Sequence, residues 1–163
     1  MLTHLNFISG QVCQEYLGFD FTTEDTYLSY VPLTHVYEQI MLTNSIMFGF
    51  KIGFSSGNLE NLVADIQTLR PTVFGSFPQF FNKIFNKIKE NIEKKPRILQ
   101  LLFDSAIQTK LFNYHKYGEV FHPLYDLLVF KIIKNILGGN IRFMVSGGAP
   151  LNVEIKNYLT VVF

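Results

Sequence analysis

Cysteine is almost missing from this chain, and that absence removes several kinds of protein at once. Cys13 is the only one in 163 residues. Neither an internal disulfide framework nor a cysteine-based zinc site is therefore available. Tryptophan is absent, and no Asn-x-Ser/Thr sequon occurs. The opening stretch "MLTHLNFISG" lacks the charged-then-apolar layout of a signal peptide. Charge is sparse and balanced, with 14 Lys and Arg against 13 Asp and Glu, a net of +1. Acids and bases are interspersed, so nothing calls for nucleic acid or another polyanion. The longest apolar runs are broken by Gln100, Lys131 or Arg142, short of the roughly 18 residues a membrane span needs. Several catalytic signatures are missing too: a Gly-rich loop ending in Lys-Ser/Thr, a His-Glu-x-x-His pair, and a Gly-x-Ser-x-Gly elbow. These absences leave an intracellular globular domain as the expectation.

What is present is apolar bulk: 48% hydrophobic residues, with 17 Phe and 8 Tyr. A chain of this size and composition can bury a core. Helical and extended signals alternate along it. Residues 3–16 read as a helix that starts at Thr3, with Leu5, Ile8, Val12 and Tyr16 on one face. "TYLSYV" at 26–31 reads as a buried strand stopped by Pro32. From His35 to Phe48, Val36, Ile40, Ile46 and Met47 suggest a buried helix ended by Gly49. "FKIGF" is a second strand, and 59–69 is a helix with Leu59, Leu62, Val63, Ile66 and Leu69 in period. "PTVFGS" is a third strand. A helix over 76–94 then points Phe77, Phe81, Ile84, Ile88 and Ile92 inward, and Lys83, Lys87, Glu90 and Lys94 outward. Helices over 97–116 and 122–137 follow, separated by a polar connector, and "IRFMV" is a fourth strand. This alternation predicts an α/β fold with a mostly parallel sheet. The chain stops at the apolar "NYLTVVF" without a cap or polar tail, and four short strands would leave edges uncovered. It is expected to be an incomplete portion of something larger.

Few residues single themselves out as chemistry. "RFMVSGGAPL", residues 142–151, is a strand running into a turn almost empty of side chains. Such a turn lets another backbone or a flat ligand approach closely. The bland alternative is a tight strand-to-helix turn with Asn152 capping the next helix. His35 follows a strand and Pro32, at the end where open α/β sheets place ligands, although an isolated histidine is also an ordinary structural residue. His115 and His122 belong to the polar connector, and Cys13 reads as a buried hydrophobe. The lysine stripe at 83, 87, 94 and 95 is mixed with Glu90 and Glu93, which favours a solvated face over a membrane contact.

Four blocks together point further. "MLTHLNFISG", "SYVPLTHVYEQ", "LRPTVFGSFPQFFNKIFNKI" and "LGGNIRFMVSGGAPLNVEI" resemble, in order and spacing, the long-chain acyl-CoA synthetases. These are fatty acid–CoA ligases of the adenylate-forming, AMP-binding superfamily. "SGGAPL" alone marks only the superfamily. "PLTHVYE" and the 68-residue interval from Pro78 to Ser146 narrow it to the long-chain eukaryotic type.

The resemblance implies that residues 1–163 form part of the large N-terminal AMP-binding domain. The phosphate loop would lie upstream of residue 1, and the C-terminal domain would be absent. It implies that Gly147, Gly148, Ala149 and Pro150 lie against the adenine of ATP and the acyl-adenylate. His35 would help to shape the acyl pocket, and Phe74, Gly75 and Ser76 would line the acyl channel, with ordinary core packing as the alternative for these three. The implied substrates are a long-chain fatty acid, ATP with Mg2+, and CoA. A carboxylate attacks the α-phosphate to give acyl-AMP, and the CoA thiol then takes the acyl group. No catalytic residue and no metal ligand is assigned within these residues, so the chain alone is expected not to make acyl-CoA. Membrane-associated work, commonly at the endoplasmic reticulum, is implied as well, without an anchor here. Gln79 and Gln39 stand where the family commonly has arginine. Two alternatives stay open: another adenylate-forming acid–thiol ligase, and a non-catalytic lipid- or nucleotide-binding remnant.

Overall fold

The computed structural model describes residues 3–16 and 18–163, apart from the side chains of Gln11 and residues 13–16. The expected burial of Cys13 and the place of Tyr16 on its helix face lie outside what is described. The chain divides into two compact units, 1–73 and 74–163. Four strands and intervening helices give an α/β fold.

In the first unit, helix α1 (His4–Tyr16) precedes strand β1 (Thr26–Ser29), helix α2 (Val36–Phe48), strand β2 (Lys51–Phe54) and helix α3 (Leu62–Leu69). β1 pairs in parallel with β2 over four residues, Thr26 opposite Lys51 to Ser29 opposite Phe54. On its other side it meets Val73, the first residue of β3 (Val73–Ser76), opposite Tyr27. The start of this ladder is fixed by a buried carboxylate. Asp25 Oδ2 accepts from the Thr22 N–H at 2.8 Å, while Oδ1 accepts from the Thr72 hydroxyl. Gly53 has a packing reason. A Cβ there would stand 2.6 Å from Leu69 Cδ1, so the strand is bare where the leucine of α3 sits.

Two helix faces differ from the sequence expectation. Leu5, Ile8 and Val12 of α1 are exposed, and so are Val36, Ile46 and Met47 of α2. The buried side chains of α2 are Glu38, Met41 and Asn44. The reason lies outside the helix. The fully buried Tyr27 hydroxyl donates to Glu38 Oε2 at 2.9 Å, so burying this acid satisfies two polar groups at once. Burial, then Tyr37 and Glu38, push the Tyr27 pKa far up, and the phenol remains a donor.

In the second unit, β3 ends at Ser76 and helix α4 (Pro78–Glu93) begins with proline in its first turn, where no N–H is missed. Phe81, Ile84 and Ile88 are buried as the period predicts, and Lys83, Lys87, Glu90 and Lys94 are exposed. Phe77 departs from the series, being 41% exposed. Helix α5 (Arg97–Tyr117) holds His115 in its last turn, so that histidine is helical and does not belong to the connector. The stretch expected as one helix over 122–137 breaks into α6 (Pro123–Tyr125), a π turn at Asp126–Phe130, α7 (Lys131–Lys134) and a 3-10 turn at Asn135–Leu137. Strand β4 (Phe143–Ser146) and helix α8 (Val153–Val162) complete the unit. Asn152 caps α8, its Oδ1 accepting from the Glu154 N–H at 2.7 Å. α8 packs on α4 and α5, and the apolar "NYLTVVF" is a helix end whose Tyr158, Leu159, Val161 and Val162 are buried.

Candidate functional site

The second unit brings two strand ends together. At the end of β3 the Ser76 carbonyl accepts from the Gly147 N–H, 3.1 Å away, just past the end of β4. Phe74, Gly75 and Ser76 on one side, and Gly147, Gly148, Ala149 and Pro150 on the other, are thus neighbours. Phe74, Gly75 and Ser76 are all buried, whereas Gly148, Ala149 and Pro150 are exposed. Phe74 packs its ring against Phe80 and Phe81 at 5.2 and 6.4 Å between centroids, which is core packing in the ordinary sense. Ser146, Ala149 and Pro150 also line a cavity of about 340 Å³ together with Phe81 and Lys156.

The two glycines of the turn are bare for different reasons. Gly148 has φ +85, a conformation that side chains resist. A Cβ there would also stand 3.3 Å from Cδ1 and 3.6 Å from Cε1 of Phe77. The fold itself therefore requires glycine at 148. Gly147 is another matter: its φ lies outside the left-handed region, and a Cβ would meet nothing within 4 Å. No described neighbour needs that space.

His35 belongs to the first unit and is exposed. It is the N-cap of α2, with φ −86 and ψ 128, and its Nδ1 accepts from the Tyr37 N–H at 3.2 Å. Its backbone N–H donates to the Pro32 carbonyl at 2.8 Å. The adjacent departure from the family pattern has a local use. Gln39 Nε2 donates to the Leu33 carbonyl at 2.7 Å and ties the "PLTH" turn to the helix.

Sequence reading missed an ionic cluster in the second unit. Lys110 on α5 is 2% exposed, and its Nζ donates to Asp126 Oδ1 at 2.8 Å. Lys134 Nζ reaches the same oxygen at 2.7 Å, and the His122 N–H donates to Oδ2 at 2.7 Å. Burial lowers the Lys110 pKa, against the pull of Asp126. Burial works against ionisation of Asp126, but the hydrogen bonds from Lys110, Lys134 and His122 outweigh it, and its pKa falls below the usual carboxylate value. A signal was available: Lys110 shares the helical period of Phe103, Ala106 and Ile107, all buried. A lysine on an inward face calls for a partner.

Among the described residues no group of three or more His, Cys, Asp or Glu side chains could hold a metal ion. Among them, likewise, no helix is long and apolar enough to cross a membrane.

The architecture has a counterpart among solved structures. It matches the A domain of a carboxylic acid reductase from Segniliparus rugosus, solved with AMP and a co-purified carboxylic acid, with a TM-score of 0.52 and 20% identity. That match covers 85% of this chain and 19% of the other, and it speaks to the fold alone. The chain belongs to the AMP-binding enzyme family, whose model matches residues 1–163. It is 37% identical over 166 residues to the peroxisomal long chain acyl-CoA synthetase 6 of Arabidopsis thaliana, covering all of this chain and 23% of that protein. Fatty acyl-CoA synthetase B of Dictyostelium discoideum is 34% identical over 164 residues, 99% of this chain and 24% of its own length. Long-chain-fatty-acid–CoA ligase 5 of Rattus norvegicus is 35% identical over 162 residues, 97% and 23%. The chain thus spans about a quarter of the length of the curated relatives it matches.

Proposed function

We propose that the protein is an ATP-dependent long-chain fatty acid–CoA ligase, and that residues 1–163 are part of its AMP-binding domain. The family match over the whole chain and the similarity to acyl-CoA synthetases support the class. One structural observation supports the site: Gly147 is bare where neither a left-handed φ nor any described neighbour requires it. A flat base lying on the backbone would account for that bareness.

In this reading Gly147, Gly148, Ala149 and Pro150 hold the adenine, and so orient the phosphates for attack by the fatty acid carboxylate. The acyl-adenylate then passes its acyl group to the CoA thiol. His35 shapes the acyl pocket, and Phe74, Gly75 and Ser76 line the acyl channel at the neighbouring strand end. Magnesium accompanies ATP in such chemistry, but the described residues offer it no cluster of His, Cys, Asp or Glu ligands. The protein works inside the cell, at a membrane surface such as that of the endoplasmic reticulum, without a spanning helix in the described residues.

The test uses the full-length protein, with ATP, CoA and a series of acids. Formation of long-chain acyl-CoA with AMP release is expected, and a stronger activity on acetate or aromatic acids would move the protein to another ligase class. Gly147→Ala is the companion variant. It is expected to fold with an unchanged melting temperature, to raise the KM for ATP about tenfold, a loss near 1.4 kcal/mol of binding, and to leave the fatty acid KM within twofold. An unchanged ATP KM would refute the adenine reading.

A further inference from the structure

We propose that Phe77 is a positioning residue that sets the Gly147–Pro150 turn; the proposal rests on the reading of that turn as an adenine contact. The helical period counts Phe77 with Phe81, Ile84 and Ile88, and so predicts a buried core residue. Phe77 instead stands before the first turn of α4 in an extended conformation, φ −86 and ψ 156, with 41% of its surface exposed. Its ring edge lies where a side chain at Gly148 would project, 3.3 Å from the Cβ that glycine omits. One residue earlier, the Ser76 carbonyl accepts from the Gly147 N–H. Two consecutive residues of the β3–α4 link therefore face two consecutive residues of the turn, one through a backbone hydrogen bond and one through an aromatic ring beside the open Cβ position.

The two have different consequences. The Ser76–Gly147 hydrogen bond continues the sheet and cannot be removed by changing a side chain. The ring beside Gly148 occupies the space into which a change of that glycine's left-handed φ would swing the turn, and so restrains it. Removing the ring frees the turn at modest cost to the fold, because Phe77 is two-fifths exposed. A turn that must order itself on binding binds more weakly. Phe77 thereby couples the buried Phe74–Ser76 segment to the turn, and a change at this one ring is read at the nucleotide.

The experiment is calorimetric binding of ATP and of a long-chain fatty acid to the full-length protein and three variants. Phe77→Ala is expected to weaken ATP binding about tenfold, with fatty acid binding within twofold and the melting temperature nearly unchanged. Phe77→Tyr keeps the ring and is expected to bind ATP like the parent. Gly147→Ala separates the two claims. If it leaves ATP binding unchanged, the adenine reading falls and the positioning role falls with it. If Gly147→Ala weakens ATP binding but Phe77→Ala does not, the adenine reading stands and the role of Phe77 is overturned. Equal loss of both ligands in Phe77→Ala, or a loss in Phe77→Tyr as large as in Phe77→Ala, also overturns it. Phe77→Leu, which keeps apolar bulk at the cap, replaces Phe77→Ala in the same comparison should the alanine variant not fold.

Discussion

Asp126→Asn should be among the more damaging conservative substitutions in this chain, and the structure says why. Asp126 accepts three short hydrogen bonds, from Lys110, Lys134 and the His122 N–H. Lys134 is a quarter exposed and can turn to water, so losing its partner costs little. Lys110 cannot turn out, being 2% exposed, and would keep only a neutral amide oxygen in place of the carboxylate and the face of Phe130, 4.7 Å from its Nζ. Breaking a buried pair by removing one partner costs about 3–5 kcal/mol, because a charge is left unpaired. At about 2–4 °C per kcal/mol for a chain of this size, the melting temperature should fall by roughly 10 °C.

The pH dependence gives the sharper check. Asp126 has a folded pKa below its unfolded value, so its contribution is complete above about pH 4 and is lost as pH falls through the folded value. Lys110 has a folded pKa lowered by burial, and stability rises with pH between that value and the unfolded one near 10.4. Without Asp126 the Lys110 pKa falls further, so the deficit of the variant against the parent should shrink between pH 7 and pH 9.5. Urea titrations at both pH values measure it. A loss under about 1 kcal/mol at pH 7, or a deficit that does not change with pH, would refute the account of a stranded buried charge.

Two other substitutions test capping against chemistry. Asn at position 35 can still accept from the Tyr37 N–H, so His35→Asn should hold stability within about 0.5 kcal/mol of the parent. If the imidazole shapes the acyl pocket, turnover and chain-length preference of the full-length enzyme will shift, and unchanged kinetics would leave His35 as a cap alone. Asn152→Ala removes the acceptor of two N–H groups at the start of α8 and should cost about 1 kcal/mol in a thermal melt. No measurable loss there would show that α8 is fixed by packing alone.

How much could be read from the residues depended on where the deciding partner lies. α4 was legible because its period is local: apolar residues three and four apart, lysines between them, proline at the start. The turn at 147–152 was legible in outline, down to the cap at Asn152. The buried face of α2 was not, because it is chosen by Tyr27, eleven residues away on a strand, which needs the Glu38 carboxylate. Apolar residues stand all round that helix, and period alone cannot rank its faces. The break in the 122–137 stretch escaped for a similar reason. Its π turn begins at Asp126, whose partner Lys110 lies sixteen residues back on α5. Phe77 looked like the first core position of a helix and is instead its cap, and a residue one step outside a periodic run obeys the turn rather than the period.

The strand end at 147 and 148 shows how two adjacent glycines can answer to different causes. A side chain at Gly148 would meet a positive φ and an aromatic ring, so any substitution there strains the turn before a ligand is considered. A loss of ATP affinity in a Gly148 variant would therefore say little about adenine. Gly147 carries no such burden, since its φ is ordinary and the space beside it is open. Alanine there should be neutral to the fold, or slightly stabilising through the unfolded chain. Any ATP-specific defect it produces must come from something that enters that open space. The informative glycine is thus the one the fold does not need.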